Sequence, residues 1–333
     1  VTVSTATIKE KALQLGFDGC GIIPATTFDE YYKALDQRGE AFPESKERYE
    51  ALRAMGAPPD GAKSIIVCVL GYNHYKIPHA IKNHIGKYYM FHTDIPYSHG
   101  FQAKTEFGEY LKLSGLGIIQ GSPPARWAAV KAGLGKFGRN NFFYTEAHGS
   151  YVHIATWMVD KELAYEKPVE STIMPDCHES CNRCMSACPT KALDGPFSMN
   201  YNQCVVPLIY KKEAPSEEIQ RQMGQWIYGC DACQDACPLN RGKLTEQEEF
   251  PLLSQFATHL QPEKILDMTE ADYANIILPR LWYAGPDGLE TWKRNAKRAM
   301  TNEVKKAAMP LSTSLWQVPC QSENNFLEVK EYE

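Results

Sequence analysis

Eight of the chain's eleven cysteines fall between Cys177 and Cys237, and nothing else in the sequence limits the fold so tightly. The first group reads Cys177-His-Glu-Ser-Cys181-Asn-Arg-Cys184-Met-Ser-Ala-Cys188-Pro189. The second reads Cys230-Asp-Ala-Cys233-Gln-Asp-Ala-Cys237-Pro238, with Cys204 between the groups. Gaps of two residues let one tight turn aim several sulfurs at a common centre. A gap of three carries the next sulfur round a helical turn toward a different centre, and the following proline stops the helix from running on. A disulfide framework suits a short secreted chain. This one has 333 residues, 44% hydrophobic and 23% charged, enough to build a core of its own. Cysteines clustered in such a chain read as metal ligands.

The spacing matches the iron–sulfur run C-x2-C-x2-C-x3-C-P, in which the fourth cysteine serves the other cluster. The one departure is the first gap, which has three residues and which a loop can absorb. Exchanging the last cysteines gives Cys177, Cys181, Cys184 and Cys237 for one [4Fe–4S] cluster, and Cys188, Cys204, Cys230 and Cys233 for the other. Two zinc sites of four thiolates are the alternative; both Cys-Pro endings and the three-residue gaps count against them. His178 reads as a solvated loop residue. Cys20 and Cys320 have no assigned role, and Cys68 reads as a small core residue.

The rest of the chain alternates helical and strand patterns. Helical spacing runs over 6–15, 28–35, 47–55, 100–113 and 125–132. Strands are expected within 16–24, 62–72, 115–120 and 152–159, the second of them buried and central. Thr269-Glu270-Ala271-Asp272 marks a helix start, and 289–300 forms a basic amphipathic helix. Residues after 302 are polar and poorly patterned. The expected class is α+β: an N-terminal layered α/β domain over 1–165, a ferredoxin-like two-cluster module over 166–245, and a helical segment over 246–333 packing on both. The formal net charge of −5 gives no global argument for nucleic acid, although a local basic face remains open. No apolar run approaches the roughly 20 residues that span a bilayer, and the start lacks a secretory pattern. A cytoplasmic protein with no membrane span is the expectation.

The order of several further segments resembles the cobalamin-dependent iron–sulfur reductases, the epoxyqueuosine reductases and their relatives the reductive dehalogenases. The segments are 15–22 (LGFDGCGI), 62–67 (AKSIIV), 131–140 (KAGLGKFGRN), 149–151 (GSY), 227–234 (IYGCDACQ) and 293–302 (KRNAKRAMTN), which together span roughly residues 7 to 302. The resemblance implies a nitroreductase-like, corrinoid-binding N-terminal domain that receives electrons from the two clusters and holds a base-off cobalamin without a protein ligand to cobalt. Consistent with that, the chain lacks the Asp-x-His-x-x-Gly pattern of histidine-ligated corrinoids. The corrinoid-binding positions it implies are Gly133, Leu134, Gly135, Lys136, Gly138, Arg139, Asn140, Ser150 and Tyr151. The glycines would let backbone approach a large planar ring; read alone, they cap a helix and form a turn.

The substrate implied is one that loses an oxygen from an epoxide or a halide, either a small molecule or tRNA, with a ferredoxin- or flavodoxin-type electron donor and a monomer or homodimer as the assembly. A bare electron-transfer protein serving a partner corrinoid protein is the alternative from another class. Such reductions need a proton. Tyr97 is the first candidate, with Asp94 and His99 behind it and Lys104 or Arg139 as the basic group that lowers the phenol's pKa. The family's Val-Asp-Thr-like step is missing, since Ile119-Gln120-Gly121-Ser122-Pro123-Pro124 carries no carboxylate, and the C-terminal helical repeat of many epoxyqueuosine reductases is absent. Lys293, Arg294, Lys297 and Arg298 give one helix a basic face able to meet RNA phosphates.

Overall fold

The apolar run over 62–72 becomes the middle of the sheet. The computed structural model describes residues 3–167, 169 and 171–308, so Cys320 lies outside the described residues. Its strands are β1 (Gly19–Pro24), β2 (Ser64–Gly71), β3 (Ile118–Ile119), β4 (Lys136–Phe137), β5 (Phe143–Tyr144) and β6 (Val152–Val159). Four of them form one antiparallel sheet in the order β1-β2-β6-β3, while β4 and β5 make a separate hairpin. Every residue of β2 is buried. That follows from its place between two neighbours with helices on both faces, where a strand reads as a continuous apolar run.

The period of two in a strand sorts the core into two layers. Ile65, Val67 and Val69 face helices Asp29–Ala41 and Ala125–Lys131, with Phe28, Tyr31, Leu35 and Ala129 packed against them. Ile66, Cys68 and Leu70 face the other way, onto Thr5–Gln14 and His99–Leu113 through Ile8, Ala12, Phe107 and Leu111. Cys68 is thus core, in register with Cys20 on β1. Both helices on this face start with a serine whose side chain accepts a backbone N–H, Ser4 from Thr7 and Ser98 from Phe101.

The C-terminal residues wrap a third core rather than extending the sheet. Tyr228 and Trp292 stack with ring centroids 5.0 Å apart, and Phe91, Phe250, Tyr273 and Leu281 fill the space around them. Thr269 and Asp272 form the reciprocal cap that the sequence signals. The final helix is Leu289–Ala308. Among the described residues no helix is long and apolar enough to cross a membrane.

Polar contacts tie the sheet to the cysteine region. Arg38 donates to the Phe197 carbonyl at 3.0 Å and to Asn141 Oδ1 at 2.6 Å, and Ser45 Oγ donates to Asn200 Oδ1 at 3.0 Å. The Tyr49 hydroxyl donates to the Met199 carbonyl. Irregular backbone near the cysteines has few partners of its own, so side chains from the sheet's helices supply them. Ile66→Ala removes a fully buried side chain from the central strand. We expect it to lower unfolding stability by about 2–5 kcal/mol, seen as a lower denaturation midpoint at unchanged m value; a loss below 0.5 kcal/mol would contradict the packing described.

Candidate functional site

Short helices and prolines place the thiols. Cys184 rides on helix Arg183–Ala187, which Cys188 and Pro189 end, and Cys233 rides on Ala232–Asp235, with Cys237-Pro238 beyond it. Cys204 is the residue before helix Val205–Tyr210. None of the eight forms a disulfide.

They fall into two neighbourhoods. Cys177, Cys181 and Cys237 lie close enough to Cys184 for its thiol to feel their charge. Cys188 and Cys204 stand in the same relation to Cys230, and Cys230, Cys204 and Cys188 to Cys233, which also feels Cys184 of the first group. Burial, and then these neighbours, push Cys184 up to about 11. Burial likewise pushes Cys204 up to about 11 and holds Cys230 and Cys233 well above the usual thiol range. Backbone N–H groups already point at two sulfurs, Arg139 at Cys177 (3.4 Å) and Ala192 at Cys188 (3.2 Å), and the Tyr144 hydroxyl bonds to Cys237.

The segment after helix Ala125–Lys131 leans on these cysteines. Asn140 Nδ2 donates to the Tyr144 hydroxyl (2.9 Å) and to the Cys233 carbonyl (3.3 Å). Ser150 Oγ meets Gln234 Oε1 at 2.9 Å, and Ser150 N donates to Asn240 Oδ1 at 2.9 Å. The Tyr151 hydroxyl reaches Asp235 at 3.3 Å. Ser150 and Tyr151 therefore bind the sheet to the second cysteine group. The glycines find their reasons inside the protein as well. Gly133 (φ 72°) caps the preceding helix, its N–H bonded to Val130, with that of Leu134 to Ala129. The Leu134 side chain lies against Gly19, and Lys136 pairs with Tyr144 across the hairpin. A Cβ on Gly135 or Gly138 would collide with Tyr144 or Phe143. Close packing of the hairpin accounts for these two glycines without any ligand.

The segment after β2 supplies a buried ion network. Lys87 Nζ sits 3.2 Å from Asp231 and 2.6 Å from Asp235, and its backbone N–H also reaches Asp231. Burial opposes the ammonium charge, but the two carboxylates outweigh it and hold Lys87 above the ordinary lysine range. Beyond it, the imidazoles of His92 and His153 lie 5.4 Å apart within an aromatic cage of Tyr72, Tyr88, Trp282 and Tyr283. His92 Nδ1 accepts from Asp94 N at 3.1 Å, and Asp94 pairs with Lys104.

The three proton-donor candidates do not assemble into one array. Tyr97 is 73% exposed at φ 70°, and its hydroxyl has no hydrogen-bond partner among the described residues. His99 turns away to pack on Gly16, near His74. Gln120 is exposed at the end of β3. On the basic helix face, Arg294 donates to the Lys212 carbonyl (2.7 Å), and Arg298 is buried against the Gly224 and Trp226 carbonyls. Half of that face serves the fold. The His92–His153 cage and the Lys87 network escaped sequence reasoning because their members come from segments more than 50 residues apart.

Residues 177–240 match the family model of a 4Fe-4S double cluster binding domain. An epoxyqueuosine reductase of Cyclobacterium marinum is 32% identical over 279 residues, covering 78% of this chain and 85% of that protein. The chain belongs to the epoxyqueuosine reductase family. A second epoxyqueuosine reductase, from Cellulophaga algicola, is 30% identical over 285 residues, 81% of this chain and 87% of that one. The solved epoxyqueuosine reductase of Bacillus subtilis shares the fold, with a TM-score of 0.72 at 24% identity over 89% of this chain and 81% of that one. Another epoxyqueuosine reductase, solved with an epoxyqueuosine-modified tRNA-Tyr stem loop, superposes with a TM-score of 0.68 at 24% identity, over 89% and 80% of the two chains. As a member of this family, the chain is an oxidoreductase with a 4Fe–4S binding domain.

Two outcomes test this geometry. Lys87→Met strands Asp231, 3% exposed, without its cation. Stability should fall by about 3–5 kcal/mol and recover in part when Asp231→Asn is added, read from denaturant unfolding of both variants. Burial lowers His92 to about 4, against the upward pull of Asp94. A base depressed in the folded state binds more protons unfolded, so stability should fall as pH drops from about 6.5 toward 4, by on the order of 3 kcal/mol for this group. The unfolding midpoint against pH should lose about one proton's slope in His92→Asn; an unchanged slope would mean that His92 is not buried neutral.

Proposed function

We propose that the chain is an epoxyqueuosine reductase acting on tRNA, with two [4Fe–4S] clusters and a cobalamin. One cluster takes Cys177, Cys181, Cys184 and Cys237, the other Cys188, Cys204, Cys230 and Cys233. The observation that supports the reading is the match of residues 177–240 to a 4Fe-4S double cluster binding domain, packed against a family-typical sheet domain. Deoxygenating an epoxide to an alkene consumes two electrons and two protons and releases water. Two one-electron clusters match that demand, refilled by a low-potential donor of the ferredoxin or flavodoxin class.

The residues after β4 suit a corrinoid in one respect. Arg139 Nε and Asn141 Nδ2 are buried donors with no partner among the described residues, and donors left so call for acceptors, such as the amide carbonyls around a corrin ring. These two, with Asn140 fixing the turn, would hold the group; Gly135 and Gly138 are filled from within. When bound, the corrinoid supplies low-valent cobalt for the reduction. The protein's part is to exclude water and fix the turn through Arg38 and Asn140. For the proton we assign Tyr97, held at a φ that non-glycine residues rarely adopt, a strain common where a side chain is placed for function. Asp94, paired with Lys104, is the reserve.

The missing carboxylate at Gln120 favours a second reading, the same cofactors turned on a different electrophile such as an organohalide. Protein made without oxygen and with cobalamin supplied should hold about eight irons and a single cobalt, and should convert an epoxyqueuosine-containing anticodon stem loop. Tyr97→Phe should cut turnover by about 10²-fold or more at unchanged metal content. Full metal content with no conversion of the stem loop would move the substrate to the second reading, and iron without cobalt would sink the corrinoid mechanism.

A further inference from the structure

A cavity of about 320 Å³ opens between helix Glu217–Gln222 and the final helix, and its lining carries Arg221, Arg294, Lys297 and Arg298 against one carboxylate, Glu217. None of the four cations forms an ion pair among the described residues, although Lys212 and Lys293 nearby do, with Asp287 and Glu290. The inner pair stands one helical turn apart, so two like charges face each other across that turn. Arg294 and Arg298 spend their terminal nitrogens on backbone carbonyls, which fixes both guanidinium groups but neutralises neither. Burial, and then Arg294, lower Arg298 to about 10. Arg221 and Lys297 are exposed at the mouth, with no side-chain hydrogen bond among the described residues. Against the four cations stand Glu217 in the lining and Glu213 near Arg294, so the cavity keeps a surplus of positive charge that an anion would offset.

We propose that this cavity is an anion site that takes a phosphate group, supplied by the ribose–phosphate backbone of the RNA substrate. Only the source of the phosphate rests on the tRNA reading; the site itself rests on the four cations. Tetrahedral phosphate suits the arrangement, because the exposed Arg221 guanidinium presents unengaged N–H donors, Lys297 adds a point charge at the rim, and the engaged Arg294 and Arg298 contribute charge behind them. An RNA strand crossing the mouth would offer one phosphate to the pocket and leave its neighbours in solvent.

The test uses the full chain with its clusters in place. Calorimetry with inorganic phosphate is run on the unaltered protein and on Arg221→Glu and Lys297→Glu, two exposed positions whose side chains support no described contact. Iron content and thermal midpoint check that the variants fold. Phosphate affinity should drop at least tenfold in each variant. Binding of an anticodon stem loop should weaken about tenfold, with the slope of log K against log salt smaller by about one for each cation removed. Phosphate binding that the variants abolish, with stem-loop binding unaltered, keeps the site and assigns it to a free phosphate or small phosphate ester. Variants that leave both ligands unaffected overturn the site, and so does a loss confined to binding of an acidic ferredoxin. Conversion of the stem loop by the unaltered enzyme tests the tRNA reading separately, so either idea can fall without the other.

Discussion

Eight cysteines gathered between 177 and 237, two of them buried and six partly so, are the constraint on which the structure depends. A thiol ionises reluctantly once buried, and neighbours that would also turn negative make it harder. Cys184 and Cys204 are pushed to about 11, and Cys230 and Cys233 further. Left without metal, such groups are poor core: small, weakly hydrogen-bonding, and crowded against their own kind. With metal the sign reverses, because the ligand must be a thiolate and metal binding becomes folding free energy. The sheet domain does not need that help. Its two layers on either face of β2 are built from Ile, Val, Leu and aromatic residues that pack without reference to the cysteines.

The junction between sheet and cysteines is correspondingly polar and fixed. Prolines and short helical turns leave carbonyls at Phe197 and Met199 with no ladder to join, and Arg38 and Tyr49 reach over to satisfy them. On the other side, Lys87, Ser150 and Tyr151 fasten the sheet's strand ends to Asp231, Gln234 and Asp235. Each is a directional contact between segments far apart in sequence. Apolar packing would allow small slips that these bonds do not. For one-electron transfer, whose rate falls steeply with distance, a junction that cannot slide is worth more than one that is merely tight.

What could be read from the sequence was whatever depends on neighbours within a few residues. The apolar run over 64–71, the strand at 152–159, the Thr269 cap, the helix at 99–113 and the cysteine spacing are all local signals, and the chain follows them. The hairpin of β4 and β5 went unseen because two-residue strands carry no period. The packing at Gly135 and Gly138 was hidden for a related reason: what fills their missing side chains is Tyr144 and Phe143, set there by a turn the pattern could not disclose. The charge run at 293–298 reads as a surface face, yet Arg298 lies inward because carbonyls at Gly224 and Trp226 need a donor. Asp94, Tyr97 and His99 sit close in sequence but point apart, since Ser98 starts a helix and turns His99 onto Gly16.

That turn also separates the two halves of the chemistry. The electron path follows covalently placed cysteines, so spacing alone announces it. A proton path has no such spacing rule, because any acid that reaches the substrate will serve. Here His92, Thr93, Ile95 and Ser98 are buried while Asp94, Pro96 and Tyr97 stand out. The buried members are clamped by the aromatic cage on one side and by the helix start on the other. The exposed members therefore ride on a frame that does not move with them, and Tyr97 pays for its position in backbone strain rather than in lost packing. With Asp94 paired to Lys104 and His99 packed on Gly16, Tyr97 is the member of this arch whose hydroxyl stands exposed and unengaged among the described residues.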